Sequence, residues 1–214
     1  MTLKLHCFGE SGHSYKAALA LEMGGFDWEP VFIDFFNGET RGAAYRRDVN
    51  EMGEAPVLVD GDVRLSQSAV IQGYLVEKGS PFGGRDASTA REILRWQFWD
   101  NHKLSSQAGM LRFLMNFLPE EKRPAEAIEF TKGRLKAAYQ VLDAHLSSRD
   151  WIVGDAVTNA DLTCCGYLYY PEPFGFDRAD WPNIDAWLTR LSEQPRWQSP
   201  YDLMPRAWPA AGKE

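Results

Sequence analysis

Hydrophobic periodicity changes once along this 214-residue sequence, at Ser80-Pro81-Phe82-Gly83-Gly84. Before that point short runs alternate apolar and polar residues, the period of a strand with one buried face. After it apolar residues recur at helical spacing. A break rich in Pro and Gly between two such textures marks a linker. The chain is therefore expected to divide into an α/β part at 1–79, a linker at 80–88 and an all-α part at 89–214. That length suits two small domains or one large one, at roughly 100–200 residues per domain.

The first part reads β-α-β, then β-β-α. Leu3, Leu5 and Cys7 alternate with Lys4, His6 and Phe8, and the loop Gly9–His13 leads into a helix over Ser14–Met23 that Gly24-Gly25 stops. A second strand is expected over Glu29–Phe35. A loop or short irregular helix follows over Asn37–Asp48, then strands at Pro56–Val59 and Val63–Leu65 and a helix over Ser66–Lys78. Asp60-Gly61 is a hairpin turn signal, because both residue types tolerate positive φ. A strand-helix-strand unit implies a parallel pair and a tight hairpin an antiparallel one, so the sheet is mixed. The second part carries helical periodicity over Ala87–Leu118, Ala125–Leu146, Leu162–Tyr170 and Ile184–Leu191, a bundle pattern.

Composition removes several function classes. With 23 Lys+Arg against 30 Asp+Glu the net charge is −7, which argues against nucleic acid or an anionic membrane as partner. No apolar run approaches the ~18–20 residues that span a bilayer. The N-terminus starts directly in a strand pattern without the apolar core of a signal peptide. The three cysteines, Cys7, Cys164 and Cys165, include an adjacent pair. That is a poor disulfide framework and fits a reducing, cytoplasmic setting. The four histidines are scattered, so no metal site is expected.

Four segments are candidates for chemistry. Ser11-Gly12-His13-Ser14 lies where the first strand gives way to the first helix. A crevice beyond a strand's carboxyl end, facing free helix N–H groups, suits an anion, including a thiolate. The plainer reading makes Ser11 or Ser14 a helix cap. Ala55-Pro56 opens a strand, where proline belongs because it cannot donate to the ladder. A cis bond there would turn the Ala55 backbone toward an extended ligand. Gln67-Ser68 at a helix start offers an amide, a hydroxyl and backbone N–H groups that suit a carboxylate, or else Ser66 or Ser68 simply caps the helix. Thr158-Asn159-Ala160-Asp161 forms a capping box, with Val157 and Leu162 as hydrophobic staple, and Asp161 is structural.

In this order and spacing the four segments resemble the soluble glutathione transferase family, in a bacterial-like, serine-type form. The resemblance covers nearly the whole chain. Asn50, Gly53 and Ala55-Pro56 fall as in the family's Asn-Pro-x-Gly-x-Val-Pro segment, with Glu51 in place of its proline. Gln67-Ser68 matches the Glu/Gln-Ser motif. Trp181-Pro182-Asn183-Ile184, Trp187 and Gln194-Pro195 are similar to the closing helical pattern.

The resemblance implies a thioredoxin-like N-terminal domain followed by an all-α domain, glutathione as co-substrate, no metal, a small apolar electrophile and a cytoplasmic homodimer with a role in detoxification. It implies that the Ser11 hydroxyl donates to the glutathione thiolate, which attacks the electrophile. Cys-x-x-Cys exchange is closed to a chain with Ser11 and Ser14 in those places. His13 is either a second thiolate neighbour or an exposed polar residue. Ala55 would pair with the cysteinyl backbone, Gln67 and Ser68 with the γ-glutamyl group, and Arg41 with the glycine carboxylate. Phe8, Phe36, Met110, Phe113 and Phe117 are candidates for the electrophile's apolar wall. The same fold also serves glutathione-dependent ether cleavage, isomerisation, dehalogenation and non-catalytic interaction modules. The tail Pro205–Glu214 either closes over the site or hangs free.

Overall fold

In a computed structural model of the chain, which describes residues 2–209, Leu3–Cys7 forms strand β1 with Leu3, Leu5 and Cys7 turned into the core. Helix α1 (Gly12–Met23) follows, then β2 (Trp28–Phe32), the short helix α2 (Ala43–Asp48), β3 (Val57–Asp60), β4 (Val63–Ser66) and α3 (Ser68–Glu77). The sheet order is β2-β1-β3-β4. β1 runs parallel to β2 and antiparallel to β3, and β3 and β4 form the hairpin that Asp60-Gly61 signals. Pro30 lies in the edge strand β2, where its missing N–H costs no ladder bond. β2 is shorter than expected and ends at Phe32, although Ile33 beyond it is fully buried.

The register fixes what gathers at one end of the sheet. His6 pairs with Val57, Val57 with Ser66, and Cys7 with Phe32. The segments just beyond these residues, Phe8–Ser14, Glu54–Pro56, Gln67-Ser68 and Ile33–Arg41, therefore share that end. Helices α1 and α3 pack together, and the Gln72 amide donates to the Lys16 carbonyl at 3.3 Å.

The chain forms two compact units, and the division differs from the expected 89–214 boundary. Of the described residues, 2–81 and 195–209 belong to one unit and Phe82–Gln194 to the other. Helix α9 (Pro200–Leu203) packs against α1, and the Tyr15 hydroxyl donates to the Gln198 carbonyl at 2.8 Å. The expected tail thus returns to the α/β unit through the described residues. The part of Pro205–Glu214 beyond 209 lies outside them.

The second unit is helical. α4 (Ala87–Trp99), capped by the Asp86 carboxylate on the Thr89 N–H, runs through a π-helical stretch at Asp100–Ser105 into α5 (Ser106–Arg112). A second π-helical stretch covers Phe113–Phe117, and Pro119 follows, so the expected 87–118 helix is one interrupted rod. α6 (Ala125–Leu146), α7 (Asn159–Cys164) and α8 (Pro182–Ser192) complete the unit. α7 is shorter than the expected Leu162–Tyr170, and turns follow it at 165–169. That stretch is buried nearly throughout, so its apolar pattern marked burial rather than helical extent. Thr158 and Asp161 form the capping box, and Asp161 is completely buried. Among the described residues no helix is long and apolar enough to cross a membrane.

Candidate active site

The loop after β1 is held by its own backbone. Ser11 N–H donates to the Phe8 carbonyl at 3.2 Å, and Tyr15 N–H donates to the Ser11 carbonyl at 2.9 Å. Ser11 has extended dihedrals, φ −86° and ψ 108°, and its Oγ accepts from the Ser14 N–H at 3.1 Å, which makes it the N-cap of α1. Capping does not exhaust this hydroxyl. The cap uses an oxygen lone pair, while the hydroxyl proton is donated to no group among the described residues. Ser14 also has an unpartnered Oγ, but it is completely sealed from solvent. Ser11 keeps 8% of its surface, so of the two serines it is the one open to solvent.

The neighbours of this loop are electrostatically quiet. His13 is only partly exposed, not the freely exposed residue that one reading of the sequence expected. Burial and the nearby charge of Lys16 lower its pKa to about 3, so the imidazole is neutral at physiological pH. Cys7 points into the core, and burial raises its thiol to about 12, which removes it as a nucleophile. Tyr15 is fully buried with its hydroxyl on Gln198, away from any thiolate role.

The segment before β3 is built to present Ala55. The Glu54 carbonyl accepts from the Tyr45 hydroxyl at 2.9 Å and the Asn50 amide at 3.0 Å, and Asn50 Oδ1 accepts from the Met52 N–H at 3.1 Å. Gly53 has φ +69°, and a Cβ there would stand 2.8 Å from the Arg46 guanidinium and 2.9 Å from the Thr40 carbonyl, so only glycine fits. The Ala55–Pro56 bond is cis, and the ladder begins at Val57. Neither the N–H nor the carbonyl of Ala55 is used within the described residues. Gln67 adopts φ 69° and ψ 116°, an uncommon conformation for a residue with a side chain, at a cost of ~1–3 kcal/mol. Its amide donates to Glu54 Oε2 at 2.9 Å. Ser68 opens α3 with a hydroxyl that makes no hydrogen bond among the described residues. Arg41 is exposed, with its guanidinium against Gly38.

The five aromatic and Met candidates separate into two groups. Phe8 is buried and stacks on Phe35 at 4.6 Å, in a cluster with Ile33, Tyr45 and Ala207, so it serves the core. Phe36 is half-buried, edge-on to Phe8 and, at 4.9 Å, to Trp208. Met110, Phe113 and Phe117 belong to the helical unit, where the first two are exposed and the third half-buried. Glu10 was missed by the sequence reading. Its buried carboxylate accepts backbone N–H groups of Ala207 and Trp208, and no local pattern signals a partner so distant in sequence. Among the described residues no group of three or more His, Cys, Asp or Glu could hold a metal ion.

Comparison with known proteins places this geometry in context. Residues 1–77 match the family model described as glutathione S-transferase, N-terminal domain, and residues 104–195 match the corresponding C-terminal domain. A glutathione S-transferase of Xanthomonas campestris is 30% identical over 146 residues, which cover 67% of this chain and 72% of that protein. A glutathione S-transferase of Arabidopsis thaliana is 26% identical over 206 residues, 91% of this chain and 81% of its own. Among solved structures, a possible glutathione S-transferase from Rhodopseudomonas palustris superposes with a TM-score of 0.88 at 28% identity, covering 100% of this chain and 98% of that one.

Proposed function

Since this chain belongs to the glutathione S-transferase family, and so is a glutathione transferase that binds glutathione as co-substrate, we propose that it works by serine-type activation, with Ser11 as donor to the thiolate. The observation that carries this reading is the unused Ser11 proton at the N-terminus of the twelve-residue helix α1. A free thiol with pKa near ~8.5 is only a few per cent ionised at neutral pH. The partial positive charge of the helix end and one hydroxyl donor both favour the anion. The serine makes no covalent bond. The glutathione sulfur attacks the electrophile and forms the new bond to carbon.

The remaining free groups suit the rest of the tripeptide. From the β1 end to the β4 end is two strand spacings, ~10 Å, and an extended three-residue peptide spans about that length. We assign the Ala55 N–H and carbonyl to the cysteinyl backbone. Ser68 and the α3 N-terminus would take the γ-glutamyl carboxylate, and Glu54, held by Gln67, would take the ammonium of the same group. Arg41 would meet the glycine carboxylate. Phe36 is the side chain of this unit assigned to the apolar electrophile. His13, being neutral, would be at most a hydrogen-bonding neighbour of the thiolate.

A cytoplasmic homodimer engaged in detoxification completes the proposal. Exposed Leu94 and Phe98, one helical turn apart on α4, supply apolar surface of the kind that a second copy would cover.

Ultraviolet difference titration with glutathione tests this reading. Wild-type protein is expected to give saturable thiolate absorbance at neutral pH, and Ser11→Ala is expected to lose it together with ~10²–10³-fold in kcat. Thiolate absorbance and turnover that survive in Ser11→Ala would refute the assignment.

A further inference from the structure

The residue before Ser11 is tied to the far end of the chain. The Glu10 carboxylate is almost completely buried, and it accepts from the Ala207 N–H at 2.9 Å, the Trp208 N–H at 3.1 Å and Arg206 Nε at 3.4 Å. One residue earlier, Gly9 N–H donates to the Pro205 carbonyl at 2.7 Å. The approach is close enough that a Cβ on Gly9 would stand 3.1 Å from that carbonyl and 3.3 Å from the Arg206 Cα. Side chains reinforce the tie. Ala207 sits in the core cluster with Phe8, Arg206 stacks over Tyr201 at 4.0 Å, and Trp208 packs edge-on against Phe36.

Burying a carboxylate is costly unless hydrogen bonds compensate it. Here the compensation comes from main-chain donors about two hundred residues away in sequence. We propose that Glu10 is a positioning residue for the thiolate donor: through its clasp on residues 206–208 it fixes the backbone from which the Ser11 hydroxyl projects. The clasp holds Gly9 and Glu10, and the α1 hydrogen bonds hold the residues after Ser11. Ser11 is thus pinned from both sides, which keeps its proton aimed at one place. Misplacing such a donor by about 1 Å costs up to ~10²-fold in rate.

This inference rests on the serine-type reading above, and its test separates the two. Glu10→Gln keeps the size of the side chain but removes its charge and one acceptor. A chain ending at Met204 removes the partner donors and keeps Glu10. For both variants and the wild type, the ionisation of bound glutathione is followed by thiolate absorbance against pH, and kcat and KM are measured with an activated aryl halide. Thermal unfolding reports the fold. Each variant that folds is expected to show a raised thiol pKa, a pH–rate profile shifted to higher pH, a kcat lower by ~10–100-fold and a glutathione KM within about threefold of wild type. A general loosening would raise KM without moving the thiol pKa. Wild-type protein that binds glutathione without thiolate absorbance would overturn both readings. Wild-type absorbance with an unchanged thiol pKa in a folded variant would overturn the positioning role alone.

Discussion

Asp161 gives the sharpest stability prediction. Its Oδ1 accepts from the Ile152 N–H at 2.9 Å and from the Trp187 indole N–H at 3.0 Å. Its Oδ2 accepts from the Thr158 N–H at 2.9 Å and the Thr158 hydroxyl at 3.0 Å. One fully buried carboxylate thus joins the segment before α7, the α7 cap and the core of α8. Replacing Asp161 with Ala orphans three buried N–H donors, while the Thr158 hydroxyl can turn. Each orphan costs about 1–3 kcal/mol, so the gross loss is roughly 3–9 kcal/mol. Against this stands the cost of burying the charge, which raises the Asp161 pKa from 3.8 to about 6. At about 1.4 kcal/mol per pKa unit, removing that charge returns about 3 kcal/mol. A net destabilisation of roughly 0–6 kcal/mol follows, centred on about 3 kcal/mol, above the ~0.5–2 kcal/mol of a helix cap alone. Urea unfolding of Asp161→Ala at pH 7, followed by the fluorescence of Trp187 and its neighbours, measures it. A loss below 1 kcal/mol with an unchanged m-value would show that the network contributes no more than an ordinary cap.

Three further expectations concern the glutathione-binding unit. Ser68→Ala should weaken glutathione about tenfold, the equivalent of one hydrogen bond, with kcat unchanged; calorimetric titration that gives the wild-type Kd would remove Ser68 from the site. Gly53→Ala should cost both stability and glutathione affinity, with at least ~1 kcal/mol lost to the left-handed backbone alone; an unaltered Tm would refute the steric argument. His13 has a folded pKa of about 3, below its ordinary 6.5, so the unfolded chain binds more protons between those values. The stability it contributes is full above about 6.5 and is lost as pH falls toward 3. At pH 5 the loss is about 1–2 kcal/mol after allowance for partial exposure. The non-titrating His13→Asn variant should fall less between pH 8 and pH 5, and identical pH dependence in the two proteins would contradict a buried neutral imidazole.

Much of the fold was legible where its signals are local. Alternation in Leu3–Cys7, the Asp60-Gly61 turn and the Thr158–Asp161 box each state a geometry within a few residues, and each element appears where its pattern lies. The Ser11 cap was legible for the same reason. What escaped was set by distant partners. Nothing near Glu10 announces the amides of Ala207 and Trp208, and nothing in the capping box announces Trp187. The length of α7 escaped because residues apolar on all sides carry no phase. The partial burial of His13 escaped because a single polar residue in a loop has no periodicity to read.

The return of the chain at Pro195 sets an order of events during synthesis. The glutathione-binding unit has its sheet once Ser66 has left the ribosome, but the amides that receive Glu10 come about 140 residues later, after the helical unit. At roughly 5–20 residues per second that interval is on the order of ten seconds. Throughout it the nascent α/β unit carries a carboxylate destined for burial whose main-chain donors have not yet been made. The unit that emerges first is therefore among the last to be finished, and with Glu10 in its positioning role the full activation of a bound thiol waits until translation has passed residue 208.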